Sequence, residues 1–176
     1  MPSGQGYAPA RYFFQPMEIE METTINKLME FRPARKEMDK LISFGVNGGP
    51  DAPVSFGAIL DTFGINFALY ALRTVEDREE MRAFAIWCAD QVQHLTRDKD
   101  KRVSASACNA VYIARHNRSA ALAAHQAASY FVRTMEACAE RDARLENRDW
   151  RPDSLTARDD ARELLTEQFR STFLAA

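Results

Sequence analysis

Glycine and proline are scarce in this chain, and their scarcity favours helices. Only seven of the 176 residues are glycine and seven are proline, and four of the glycines fall between Gly45 and Gly57. Because these two residues interrupt regular backbone most strongly, few interruption points remain elsewhere. The length suits one domain, and the composition, 46% hydrophobic and 27% charged, is that of an ordinary globular protein.

Neither a large net charge nor a long apolar run is present. The formal net charge is -2, so nothing global favours nucleic acid or an anionic lipid surface. No uninterrupted apolar stretch reaches the roughly 20 residues that cross a bilayer. The first 14 residues lack the basic and apolar regions of a secretory signal. We therefore expect a cytoplasmic protein that does not contact a membrane.

Metal-binding motifs are also missing. Cys88, Cys108 and Cys138 are an odd set, and each occupies an apolar helical position. We expect three buried, unbridged thiols in a reducing compartment. No Cys-x-x-Cys, His-x-x-x-His or Glu-x-x-His pair occurs, so neither a zinc site nor a di-iron site is indicated. We expect no metal and no other cofactor.

Catalytic motifs are absent as well. There is no Gly-x-Ser-x-Gly elbow, and the glycine-rich stretch 45–53 lacks the Gly-Lys-Ser/Thr ending of a phosphate-binding loop. We expect no catalytic residues and a protein that is not an enzyme. The alternative is a small helical enzyme whose site is scattered in sequence around His94, His116 and His125.

What is present is helical periodicity along most of the chain. It predicts an all-α fold: a compact single-domain bundle of six to eight helices in residues 17–176, preceded by an extended N-terminal arm at 1–16. The predicted helices cover 22–31, a segment ending at Phe44, 56–63, 65–74, 77–96, 102–115, 119–147 and a last segment that Thr156 would cap.

Apolar stripes predict how these helices pack. Helix 77–96 carries one stripe, which leaves Ile86 on the polar face. Helix 102–115 has two apolar faces and should lie between neighbours. Helix 119–147 has an alanine-rich stripe, and His125 lies roughly 90° from its centre, as expected of a histidine at the border between packed and wet faces. Along the last helix, an apolar ridge follows every fourth residue, at Ala161, Leu165, Phe169 and Phe173.

Three local basic clusters occur, at 98–102, at 32–36 and at Arg115 with Arg118. Each cluster carries or neighbours acidic residues, and no helix-turn-helix reader is evident. We do not expect direct contact with nucleic acid. A nucleic-acid-associated accessory protein remains an alternative.

The segment from Phe63 to Tyr130 contains an "ALYALR" run, an acidic turn, "RAFAIWCADQV", a "DKR" helix start and an alanine-rich helix. In this order of elements it resembles immunity proteins of bacterial polymorphic-toxin systems. The resemblance implies a small helical protein that inhibits a toxin by binding it, and it carries no catalytic residues. Residues 1–60 lie outside the resemblance.

A second inhibitor class fits equally well. Small single-domain proteins without active sites are common among phage and mobile-element anti-defence factors, including anti-CRISPR proteins that block or dismantle a complex. Both interpretations predict stoichiometric binding to a protein, either a toxin or a defence-complex subunit, and the sequence leaves the oligomeric state open. The predicted partner-binding residues are apolar or cationic positions left over from the core: Tyr12, Phe13, Phe14, Ile86, Arg115, Arg118 and Trp150, the last in a charged linker.

Overall fold

The computed structural model of the chain describes residues 21–33, 35–44 and 49–174. Within these ranges it contains eight α-helices and two short strands, which confirms the predicted all-α bundle. The predicted arm at 1–16, with Tyr12, Phe13 and Phe14, lies outside the described residues. The elements are β1 (Glu22–Thr24), α1 (Ile25–Glu30), α2 (Arg35–Phe44), β2 (Pro53–Ser55), α3 (Phe56–Phe63), α4 (Ile65–Ala71), α5 (Glu79–Val92), α6 (Lys101–His116), α7 (Ala120–Leu145) and α8 (Trp150–Phe169).

Three helices continue into turns of different pitch. A 3-10 helix follows α4 at Leu72–Thr74, another follows α5 at Gln93–Arg97, and a π-helix follows α8 at Arg170–Leu174. The predicted segments 65–74 and 77–96 therefore cover an α-helix together with its 3-10 extension. Among the helices of the described ranges, none has both the length and the apolar character needed to cross a bilayer.

The longest helix, α7, lies at the centre of the bundle and packs against α4, α5, α6 and α8. Its packed surface is built mainly from alanine, and small side chains let neighbouring helix axes approach closely. The prediction of an alanine stripe here is confirmed. The buried residues of α7 are Ala120, Ala121, Ala123, Ala124, Ala127, Ala128, Phe131, Thr134, Ala137 and Ala143.

Both ends of α7 are defined by specific hydrogen bonds. At the start, the Ser119 hydroxyl accepts from the backbone N–H of Leu122 at 3.2 Å, as an N-cap does. At the end, Asn147 adopts the left-handed conformation with φ of 57°, and the N–H of Arg148 donates to the Ala143 carbonyl at 2.8 Å. These features form a Schellman cap, which explains where the helix stops.

The N-terminal segment differs from the prediction. Instead of one helix at 22–31, Glu22–Thr24 forms β1, which pairs antiparallel with β2, with Thr23 opposite Val54. The prediction missed the strand because its partner lies about 30 residues away in sequence. Thr24 then caps α1, since its hydroxyl accepts from the N–H of Lys27 at 3.3 Å.

Helix α6 also differs from the prediction. Its first apolar face is buried, but the second face, with Ala105, Cys108 and Tyr112, is exposed. Tyr112 retains 65% of its possible exposure. The prediction that α6 is covered on two sides was therefore wrong, although the Cys108 thiol on this second face donates to the carbonyl of Thr96, in the 3-10 helix after α5, at 3.7 Å. Cys108 is exposed as a consequence, whereas Cys88 is buried as expected and Cys138 is half-buried.

The predicted start of α8, with Thr156 as its cap, lies too late in the sequence. Asp149, not Thr156, caps the helix by accepting from the N–H of Arg151 at 3.1 Å. Trp150 is therefore the first residue of α8 and not part of a linker. The predicted ridge is confirmed: Ala161, Leu165 and Phe169 are buried, and Phe173 is partly buried against Phe84 and Phe169.

The close packing of α7 predicts that enlarging a buried alanine destabilises the fold. Ala124 is fully buried, so Ala124→Leu must displace a neighbouring helix, and we expect a loss of about 2 kcal/mol in the free energy of unfolding. Urea denaturation measures this loss. The matched control is Ala83→Leu on the exposed side of α5, where a change within about 0.5 kcal/mol is expected. Equal effects at both positions would contradict the packing described.

Candidate functional site

One side of α5 faces the C-terminal half of α6. Arg82 and Ile86 are four positions apart, so they lie on the same side of α5, and Gln93 begins the 3-10 helix that continues it. The Arg82 guanidinium donates from Nη1 to the carbonyl of Ala114 at 3.1 Å and from Nη2 to the carbonyl of Arg118 at 3.2 Å. Ile86, one turn further along, is therefore positioned beside the end of α6.

Gln93, at the start of the 3-10 helix after α5, also reaches α6. The Gln93 amide oxygen accepts from Nη2 of Arg115 at 3.2 Å. Ile86 thus lies between two residues that both contact the C-terminal part of α6. It is 42% exposed, which confirms that this isoleucine remains on the polar face.

Tyr112 extends this surface on α6. It lies three residues before Arg115, hence on a neighbouring part of the same helix side. Its ring stacks on the His116 imidazole with centroids 4.7 Å apart. Sequence reasoning assigned Tyr112 to a covered face, although the polar residues Asn109 and His116 at similar helical angles indicated exposure. We name Ile86, Tyr112, Arg115 and Arg118 the α5–α6 surface.

Cationic groups on this surface are available to a partner. Arg115 and Arg118 are both exposed, and neither takes part in the salt bridges found among the described residues. An unpaired guanidinium can form two parallel hydrogen bonds with a carboxylate. The surface therefore combines two exposed apolar side chains with two positive charges that have no acidic partner among the described residues.

The connection between α6 and α7 is held by α5. Asp77, just before α5, accepts from the Ser119 hydroxyl at 3.1 Å and from the N–H of Ala121 at 3.0 Å. The hydrogen bond from Ala121 is the main reason that the pKa of Asp77 lies below its usual value. Together with Arg82, this carboxylate fixes the turn that carries Arg118.

Trp150 does not belong to the α5–α6 surface. It starts α8 just after the end of α7, whereas Arg118 lies just before the start of α7. The 26 residues of α7 span about 39 Å, so the two positions are at opposite ends of the bundle. The Trp150 ring lies 5.9 Å from the guanidinium carbon of Arg151 and is 38% exposed. The seven predicted binding residues therefore do not form one site.

The basic cluster at 98–102 is engaged within the fold. Asp98 pairs with Arg141, and Arg102 pairs with Glu140 at 2.8 Å. The N–H of Asp100, together with Arg141, holds the pKa of Asp98 below its usual value. These acids offset the local positive charge, so the cluster lacks the uniform charge of a nucleic-acid contact. The cluster at 32–36 lies partly outside the described residues.

The histidines do not form a common site. His94 and His116 are exposed, and His116 contacts Tyr112, whereas His125 lines a cavity of about 340 Å³ on another part of the protein. In the described ranges, no cluster of three or more His, Cys, Asp or Glu side chains could hold a metal ion. The cavity is lined by Arg32, Pro33, Phe63, Asn66, Phe67, Tyr70 and His125.

Comparisons with protein-family models, curated proteins and solved structures found no match for this chain.

His125 sits at the border of α7, as its helical position predicted. Its imidazole meets the Tyr70 ring edge to face, with centroids 6.2 Å apart. No described side chain hydrogen-bonds to the imidazole. Burial, with a smaller contribution from the positive charge of Arg73, lowers the pKa of His125 below its usual 6.5. The neutral imidazole is therefore favoured near neutral pH.

This environment predicts a pH-dependent contribution of His125 to stability. In the pH range below 6.5, the unfolded chain binds a proton at His125 more readily than the folded chain does. The contribution of His125 to the free energy of unfolding is therefore complete above pH 6.5, and it is lost as the pH falls through the lowered pKa of the folded state. We expect an NMR titration of the His125 ring to give a pKa below 6.5.

The matched experiment compares the free energy of unfolding of the natural chain and of His125→Gln at about pH 7.5 and about pH 5. The natural chain should lose stability relative to the variant on acidification. A constant difference, or a His125 pKa at or above 6.5, would contradict the burial described.

Proposed function

We propose that this protein is a non-enzymatic inhibitor that binds a protein partner stoichiometrically through the α5–α6 surface. The observation that carries the proposal is the placement of exposed Ile86 and Tyr112 beside the unpaired cations Arg115 and Arg118. Tyrosine and arginine are enriched among interface residues whose truncation costs about 2 kcal/mol or more. The surface thus has the composition of a protein-binding site.

The charge of the surface indicates the chemistry of the partner. Two guanidinium groups that form no salt bridge with any described residue favour a partner surface rich in carboxylates. The rest of the protein is nearly balanced in charge, with a net charge of -2. We therefore expect local rather than global electrostatic attraction.

Two classes of partner fit this function, a toxin and a subunit of a defence complex, and both were expected from the sequence. The segment that resembles immunity proteins, 63–130, includes all of α5 and α6, so the resemblance covers the proposed surface and supports a toxin as the partner. A subunit of a defence complex fits an anti-defence protein with the same surface. His125 lies apart from His94 and His116, in a cavity that neither of them lines, and this supports binding over catalysis because acid–base chemistry needs groups that converge.

Neutralising the two arginines should slow association with the partner. In the variant Arg115→Gln/Arg118→Gln, we expect the association rate constant at low salt to fall roughly tenfold, and the difference to shrink at high ionic strength. Stopped-flow or surface-plasmon measurements give both values. The matched control is Arg133→Gln/Arg151→Gln, which removes two exposed arginines elsewhere and should leave the rate unchanged. Equal slowing in both variants would contradict a role for this surface.

Site-specific photo-crosslinking tests the location of the interface and identifies the partner. A photoreactive phenylalanine analogue at position 112 should crosslink one protein in a lysate of the source cells, and Arg115→Gln/Arg118→Gln should reduce the yield of that product. The same analogue at position 164 on α8, which is also exposed, is the control. A crosslinked protein found equally at both positions, or one with an unchanged yield in the arginine variant, would refute the proposal.

A further inference from the structure

A second site of a different kind lies on the surface formed by α3, α4, α7 and the turn after α1. It is the cavity beside His125, with a volume of about 340 Å³. Sites for small molecules commonly have volumes from about 300 to about 1,000 Å³ and combine aromatic walls with a few polar groups. The volume of this cavity is within the range of small-molecule sites.

The walls of the cavity are aromatic. Phe63 and Phe67 lie with ring centroids 4.8 Å apart, and Phe67 and Tyr70 lie 5.8 Å apart. The Tyr70 ring is fixed in place, because its hydroxyl donates to the carbonyl of Phe31 and the His125 ring packs against it. Such faces bind a planar ring by offset stacking or edge-to-face contact.

The polar side chains at the cavity form no hydrogen bonds within the described part of the chain. The side chains of Arg32, Asn66 and His125 line it, and none of the three hydrogen-bonds to another described residue. No acidic residue is among the described lining residues. Arg73 adds a second positive charge nearby, with its guanidinium carbon 5.3 Å from the centroid of the Tyr70 ring. The cavity is therefore apolar on its walls and cationic at its edge.

The backbone of Arg32 adopts the left-handed conformation, which is unusual for a residue with a β-carbon. Arg32 has φ of 52° at the end of α1, and its N–H donates to the carbonyl of Met29 at 3.0 Å. Glycine is the usual residue at such a left-handed helix end because it has no β-carbon. Arginine here carries a conformational cost, and its guanidinium has no partner among the described residues that would offset it.

We propose that this cavity binds a planar aromatic carboxylate, with its ring against Phe67, Tyr70 and His125 and its carboxylate on Arg32. Charge complementarity selects the anionic group, since the described lining residues supply cationic and neutral donors and no acid. The aromatic walls select the ring. The site lies outside the α5–α6 surface, so the proposal stands independently of the proposed function.

Naphthalene-2-carboxylate is the probe, and the neutral naphthalene-2-carboxamide is its control. Titration of the full chain, followed by NMR chemical shifts, should give a dissociation constant of about 1 mM or tighter for the carboxylate. The shifts should concentrate on residues 63–70 and on His125. The carboxamide should bind at least about fivefold more weakly, because it lacks the charge that pairs with Arg32. Equal binding of the two compounds, or no shift at millimolar carboxylate, would overturn the proposal.

Variants separate ligand binding from folding. Arg32→Gly removes the guanidinium and places glycine at a left-handed position, so we expect an unchanged or higher melting temperature and roughly tenfold weaker binding of the carboxylate. Arg115→Gln, on the α5–α6 surface, is the control and should bind the carboxylate as the natural chain does. If Arg32→Gly keeps the affinity of the natural chain, or if Arg115→Gln loses it, the assignment of the carboxylate to Arg32 is wrong.

Discussion

The alanine-rich surface of α7 is the constraint on which the rest of the structure depends. Its small side chains allow four helices to approach one axis, and the larger Phe131 is buried with its ring centroid 6.1 Å from that of Trp87 on α5. Because the close approach depends on side-chain size, the helices around α7 have little freedom to shift. The relative placement of α5 and α6, and hence the surface that they share, follows from this packing.

Two polar side chains then fix the turn between α6 and α7. Asp77 accepts hydrogen bonds at the start of α7, where backbone N–H groups lack partners, and Arg82 donates to carbonyls at the end of α6, where acceptors lack them. The negative charge of Asp77 at the start of α7 and the positive charge of Arg82 at the end of α6 both have the sign that the helix dipole favours there. The backbone on either side of Arg115 and Arg118 is thereby held in place, while the side chain of Arg118 remains exposed. A rigid backbone with free cations lowers the entropic cost of binding a partner.

Periodicity carried most of the fold prediction, because burial of one helix face leaves a direct trace in sequence. The stripe that includes Phe84 and Cys88, the alanines of α7 and the ridge around Leu165 are all buried as predicted. The strand pair escaped prediction because it joins segments that are distant in the chain, and no local pattern specifies that pairing. Tyr112 was misplaced because an apolar face does not reveal whether a neighbour covers it.

The candidate sites were harder to predict than the fold, because they depend on contacts between segments that are distant in the chain. Ile86 could be located from its helical angle alone, since it conflicted with its polar surroundings. The placement of Ile86 near Arg115 depends on the packing of α5 against α6, and no local sequence pattern specifies that packing. The cavity beside His125 joins Arg32, Phe67 and His125 from three separate segments. A border histidine was predictable there, but its aromatic surroundings were not.

We propose that the protein acts by occupying its partner and turns over no substrate. The most direct test measures the activity of the crosslinked partner, once it is purified, against the molar ratio of this protein at concentrations well above the dissociation constant. We expect a linear fall to a sharp endpoint at a fixed stoichiometry near one equivalent, and a more gradual approach to the same endpoint in Arg115→Gln/Arg118→Gln, which binds the partner more weakly. Complete inhibition by far less than one equivalent, increasing with incubation time and abolished by His125→Gln, would show that the protein is an enzyme and would contradict the proposal.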